Sequence, residues 1–257
     1  MFGGFSMKNK ALVLGLVLSV VAALFAHAQQ FNPESDFQVA RSDDGASVII
    51  TGYVGTSQTV NIPPRIRQLP VTVIGVNAFQ QKNITSVTIP DSVTVIGNNA
   101  FSGCESLTSV TIPDSVTTIG DSAFIGCNMT SVIIPDSVTT IGNSAFSFTG
   151  LTSVIIPDSV TTIGDSAFWS CSNLTSVTIP DSVTNIGSTA FYRCTSLISV
   201  TVHATAPPTL GVNRYASFGV FESTHQNMQI LVPEASVNAY RTASGWRAYA
   251  SRIYAIW

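Results

Sequence analysis

Cysteine, histidine and carboxylate side chains are the groups from which metal sites and acid–base machinery are built, and in this chain they are sparse and regularly placed. Of three histidines, His27 falls among the first thirty residues, leaving His203 and His225 with no second ligand at a metal-binding spacing. There is no glycine-rich phosphate loop, no Gly-x-Ser-x-Gly elbow and no local carboxylate pair divided into acid and base. The expectation is a protein without catalytic residues, metal or cofactor.

The other reactive groups recur in register. Cys104, Cys127, Cys171 and Cys194 occupy one place in successive units, with Thr149 filling it between the second and third. An even count in a secreted chain ordinarily signals disulfides. Equivalence by register favours reduced thiols buried at a corner instead, a place that Thr149 also satisfies. Units stacked about 4.8 Å apart would still allow Cys104 to pair with Cys127 and Cys171 with Cys194. Asp91, Asp114, Asp136, Asp158 and Asp181 form a second column. Their carboxylates are expected to bond their own turn backbone rather than a Ca²⁺ ladder, because no companion ligands accompany them.

Such columns require an element that repeats. Ile-Pro-Asp-Ser-Val recurs at Pro90, Pro113, Pro135, Pro157 and Pro180, at intervals of 22 or 23 residues, and Ala-Phe recurs with it from Ala78-Phe79 to Ala190-Phe191 in six rungs. A weaker rung is suggested at Ala216 to Phe218. This period belongs to leucine-rich solenoids. In the rung from Leu107, alternation buries Leu107, Val110 and Ile112 and turns Ser109 and Thr111 outward. Pro113-Asp114-Ser115 makes a turn, Val116 and Ile119 point inward again, and Gly120 allows a tight corner. Asp121-Ser122-Ala123-Phe124 reads as a short helical or 3₁₀ turn with Phe124 in the core. The column Asn98, Asp121, Asn143, Asp165 and Ser188 would cap it.

Leu-Thr-Ser-Val-Thr-Ile-Pro-Asp-Ser-Val-Thr-Thr-Ile-Gly-Asp-Ser-Ala-Phe-x-Gly-Cys, from Leu107 to Cys127, resembles the BspA-like leucine-rich repeat. Ile50-Thr51-Gly52-Tyr53 and Leu69 to Gly75 are similar to that family's N-terminal segment, and Val232-Pro233 to Ile253 to its closing segment. The resemblance implies a leucine-rich-repeat solenoid of short parallel strands. It also implies a secreted or surface protein that binds matrix proteins or other cells, although no wall, lipid or sorting signal is visible here.

Where such solenoids bind, the outward strand positions are Ser109, Thr111, Ser131, Ile133, Ser153, Ile155, Ser176 and Thr178. Ile133 and Ile155 interrupt a hydroxyl sheet in adjacent rungs and could seed an apolar contact. Trp169 and Tyr192 share a column just after the buried Phe and form a candidate aromatic pair, of the residue types favoured at hot spots.

Lys8 and Lys10, an apolar run from Ala11 to Phe25 and the small-residue pattern Ala26-His27-Ala28 read as a signal peptide over 1–28. Its loss would leave nine Lys plus Arg against fourteen Asp plus Glu, a net charge of −5, which disfavours nucleic acid. No second long apolar stretch follows, so no transmembrane segment is expected in the mature chain. The organisation read from sequence is an N-terminal β cap over 29–58, repeats over 59–210, and a degenerate repeat with a helical cap over 211–257. The expected function is a secreted or periplasmic, non-catalytic binding module, monomeric, for an extracellular protein, glycan or cell surface. The alternative is an envelope-associated structural spacer.

Overall fold

The computed structural model describes residues 31–212 and 218–256, so the signal-peptide reading, Ala216 and Trp257 lie outside the described residues. From Asn32 onward the chain is one compact unit, a β-solenoid of about nine turns with few helices. Each regular rung has three sides. The Ser-Val-Thr segment forms the first, as in Ser86–Thr88, Ser109–Thr111 and Ser176–Ile179. After the Pro-Asp-Ser turn, two-residue strands such as Thr118–Ile119 and Thr162–Ile163 form the second. These pair in parallel and in register, so Ile96, Ile119, Ile141, Ile163 and Ile186 stack as one buried column. Strictly repeated β-branched residues fit this ladder because each copy meets an identical neighbour on a pleated surface.

The third side is not helical. Ala123 and Ile125 donate to carbonyls three residues back, whereas Ser122 and Phe124 donate to Asn143 and Ala145 of the next rung. The cause is backbone handedness: Asn77, Asn99, Ser122, Ser144, Ser166 and Thr189, one per rung, lie at φ between 54° and 58°. A left-handed residue ends a right-handed helical turn at once and redirects alternate N–H groups between rungs. The capping column serves the neighbour for the same reason. Asn98 Oδ1 accepts from Asp121 N at 2.9 Å, Asp121 from Asn143 N at 2.7 Å, Asn143 from Asp165 N at 2.8 Å and Asp165 from Ser188 N at 2.6 Å. The oxygens therefore tie rungs together instead of capping their own turn.

The core is a ladder of rings. Phe79, Phe101, Phe124, Phe146, Phe168 and Phe191 are fully buried and stack at 5.0–5.5 Å with planes within 16° of parallel. Sequence periodicity missed both ends of it. Tyr53 continues the stack below Phe79 and Phe221 above Phe191, so the seventh rung places Phe221, not Phe218, in the core.

At the N-terminus, Phe37–Arg41 pairs antiparallel with Val48–Tyr53, which then pairs in parallel with Leu69–Ile74. At the C-terminus a 3₁₀ turn at Glu234–Ser236, a helix at Val237–Thr242 and a 3₁₀ segment at Trp246–Arg252 close the stack. Its aromatics are core groups with satisfied polar ends: Tyr240 Oη donates to the Ala204 carbonyl and Trp246 Nε1 to that of Pro208. Within the region read from sequence as a helical cap, Ile253 begins a strand, Ile253–Ala255, that adds in parallel to Gln229–Val232. No helix among the described residues is long and apolar enough to cross a membrane.

Candidate binding face

All eight outward positions named from sequence are exposed, from Ser109 and Thr111 through Ser131, Ile133, Ser153 and Ile155 to Ser176 and Thr178. The same columns are only half-buried toward the ends, at Ser86, Thr88, Ser199 and Thr201. One rung departs from expectation. Ser131 to Ile133 is not a strand, and the face divides into a three-stranded part ending at Ser109–Thr111 and a five-stranded part beginning at Ser153–Ile155. Across the division, Thr152 donates to the Thr130 carbonyl through both its N–H and its hydroxyl. The division falls where the corner after the core Phe shortens from two residues, Glu105-Ser106, to one, Asn128.

At this division Ile133 and Ile155 are 82% and 75% exposed. They and Val132, Ile134, Val154 and Pro157 line a concavity of about 400 Å³ whose edge carries Asp136. A larger concavity, about 670 Å³, lies at the N-terminal end among Tyr53, Ser57, Gln58 and Lys82. It holds no convergent acid–base pair and lies away from the exposed isoleucines, so the smaller, more apolar one is the stronger binding candidate.

The aspartate column flanks this face differently from expectation. Among the described residues no donor reaches the carboxylates of Asp91, Asp114, Asp136, Asp158 or Asp181, all exposed. The turns are closed by main chain, as Val116 N donates to the Pro113 carbonyl. The serine after each Asp bonds the preceding rung, Ser115 to Val93 O at 2.6 Å and Ser182 to Val160 O at 2.8 Å. A hydroxyl one residue later has taken the structural task, leaving the carboxylates free.

The four cysteines are free and buried. Each thiol donates to the Phe carbonyl of the preceding rung, Cys104 to Phe79 at 3.0 Å and Cys194 to Phe168 at 3.2 Å among them. Burial pushes the Cys104 and Cys171 thiols up to about 11. Cys127 and Cys194 are raised further, by burial first and then by the neighbouring cysteine. Such thiols pack as small apolar groups and are poor nucleophiles. No group of three or more His, Cys, Asp or Glu among the described residues could hold a metal.

Trp169 and Tyr192 are brought together, 6.2 Å apart and edge-on, as parts of a longer stripe. Phe148 lies 5.5 Å from Trp169 and Phe218 4.9 Å from Tyr192. Phe148 and Phe218 were hidden in the sequence because each sits off the column that holds Trp169 and Tyr192.

The profile of the BspA type leucine rich repeat region matches residues 72–201 in six copies, half of the chain. A leucine-rich-repeat protein of T. pallidum is 27% identical, with a TM-score of 0.65, over 86% of this chain and 95% of that one. A leucine rich cell surface protein of Faecalibacterium prausnitzii is 26% identical, with a TM-score of 0.54, over 82% of this chain and 73% of that one. No curated protein matches the chain.

Proposed function

This chain belongs to the BspA-type leucine-rich-repeat family, and we propose that it is a non-catalytic recognition module that acts outside the cytoplasm and grips a protein ligand with its strand face. The observation that carries the reading is the pair Ile133 and Ile155, exposed in adjacent rungs over an apolar concavity. Folding does not ask for isoleucine there, since Thr88, Thr111, Thr178 and Thr201 fill the same column. Apolar anchors within a polar, hydroxyl-lined surround are the composition of a hot spot. The unpartnered Asp136 and Asp158 beside them favour a ligand with basic residues at its rim. Family membership, the cell-surface relative and the leader-like first 28 residues support a secreted or surface location.

The test is saturable binding of the purified protein to extracellular-matrix proteins and bacterial cells at physiological salt, repeated with Ile133→Asp and Ile155→Asp. Both side chains are exposed, so folding is expected to survive. Each substitution is expected to weaken capture about thirtyfold, as loss of a central apolar anchor worth ~2 kcal/mol requires. Binding unchanged by the double substitution overturns this face, and silence toward every partner from a folded protein favours a structural spacer.

A further inference from the structure

A second surface, away from the isoleucines, has its own chemistry. On the turn side, Phe148, Trp169, Tyr192 and Phe218 come from successive rungs and touch ring to ring at 5.5, 6.2 and 4.9 Å along the stacking direction. We propose that this stripe is a binding platform for a neutral oligosaccharide chain.

Four observations carry the proposal. The repeat does not need aromatic residues there: the corresponding pairs in earlier rungs are Ser102-Gly103 and Ile125-Gly126. Phe148 is 53% exposed and sits at φ 57°, in a left-handed column that the other rungs fill with glycine or polar residues: Gln81, Gly103, Gly126, Ser170 and Arg193. Phe148 is the one aromatic in that column among the described residues, and a bulky residue in left-handed backbone is a frequent mark of function. The outer rings are tilted to one another by 43°, 65° and 36°, while neighbouring Phe rings of the inner ladder lie within 16° of parallel. Parallel rings close into a continuous stack, whereas tilted ones leave part of their faces and edges outside the ring-to-ring contacts, where C–H groups can pack. Finally, the Trp169 Nε1–H is buried without an acceptor, so a turn of the indole toward a ligand hydroxyl would satisfy a donor that folding has left unpaired.

A pyranose chain fits these features together. Each sugar presents an apolar C–H face for one ring and hydroxyls for donors beside it, and the ring-to-ring steps are on the scale of a single sugar unit. The Arg193 guanidinium, 5.9 Å above the Tyr192 ring, adds a fork of donors at the stripe's flank. A protein partner fits less well, because a line one ring wide cannot be sealed from water by a surrounding rim.

The test is titration of the full chain with tetra- to hexasaccharides of the gluco-, xylo-, manno- and chito-series, followed by calorimetry and tryptophan fluorescence. At least one series is expected to bind in the micromolar to millimolar range and to change the emission of Trp169. Trp169→Ala combined with Tyr192→Ala is expected to weaken that binding at least tenfold. Phe148→Gly should weaken it too while raising the unfolding midpoint, a combination that misfolding cannot imitate. The Ile133→Asp and Ile155→Asp variant should bind sugar normally, which keeps this outcome separate from that of the strand face. Absence of heat and emission change with every series at millimolar concentration overturns the proposal. So does sugar binding that survives the double substitution, or loss of a protein partner from the stripe variants without any sugar binding.

Discussion

Two glycine-to-alanine changes, chemically identical, should differ several-fold in cost. Gly164 lies in the corner column, where an added Cβ would meet Asn143 N and Gly142 C of the preceding rung at 2.7 Å. Both contacts are backbone and cannot rotate away. Reaching an ordinary 3.4 Å contact requires the rungs to part by roughly 0.7 Å, which stretches the bonds from Gly164 N to Ile141 O, now 2.9 Å, and from Asp165 N to Asn143 Oδ1, now 2.8 Å, beyond hydrogen-bonding range. Two bonds at about 1 kcal/mol each, with the lower end of the overpacking cost, give about 3 kcal/mol. Gly126 is constrained instead by φ, at 72°, and its Cβ would find its nearest neighbour 3.8 Å away at Gly103 Cα. Only the left-handed conformation is charged there, about 1 kcal/mol. Urea unfolding followed by circular dichroism compares the two midpoints directly. Equal shifts, or a Gly164→Ala cost below that of Gly126→Ala, would refute the argument that inter-rung contact rather than dihedral preference fixes the corner glycine.

The rung-to-rung acceptor ladder predicts that Asp121→Asn is nearly neutral whereas Asp121→Ala costs about 1 kcal/mol, because either amide or carboxylate oxygen can accept from Asn143 N; equal losses in thermal unfolding would contradict it. With all four cysteines buried and their thiols raised, a thiol-disulfide reagent at pH 8 should leave the native protein unlabelled and modify all four in denaturant; rapid native labelling counts against this packing. Stability should fall at alkaline pH. The cysteines and Tyr240 are raised in the folded state above ordinary values of 9.0 and 10.0, so their contribution is complete below pH 9 and is lost as the unfolded chain sheds protons first. Tyr240→Phe should flatten the part of that decline above pH 10, and an unfolding midpoint constant from pH 8 to 11 would exclude it.

How much could be read before the structure depends on whether a residue's role lies within its rung or between rungs. Val116, Ile119 and Phe124 declared themselves, because inward and outward alternation is a local property and recurs in every copy. Asp121 looked like a helix cap because, along one rung, an Asx residue before Ser-Ala-Phe is the pattern of a cap. Its partner is Asn143 N, 22 residues away in sequence, and only stacking brings that N–H within reach. The Asp of each Pro-Asp-Ser turn follows the same logic, since its turn-bonding role is legible only within one rung: Ser115 reaches Val93 O of the preceding rung, and the carboxylate is left over. Tyr53 and Phe221 lie outside the Ala-Phe pattern because neither follows an alanine, yet the ladder needs only a ring at that height.

Binding positions obey a different logic from stacking positions. A residue that serves stacking is required in each rung, so the repeat repeats it; a residue that serves a ligand is needed wherever the ligand lies. Departures from the repeat that cost stability, or gain none, are therefore the places where a site can be written. Ile133 and Ile155 stand where threonine suffices, and Phe148 stands where Gly103 and Gly126 are easier to fold. Near-identity among the rungs obscures function in the average rung and exposes it in the exceptional one. The exceptions here fall on two different sides of the solenoid, one aliphatic and bordered by free carboxylates, the other aromatic with an unpaired indole N–H. Two chemistries that differ this far call for two ligands, or for two separate parts of one.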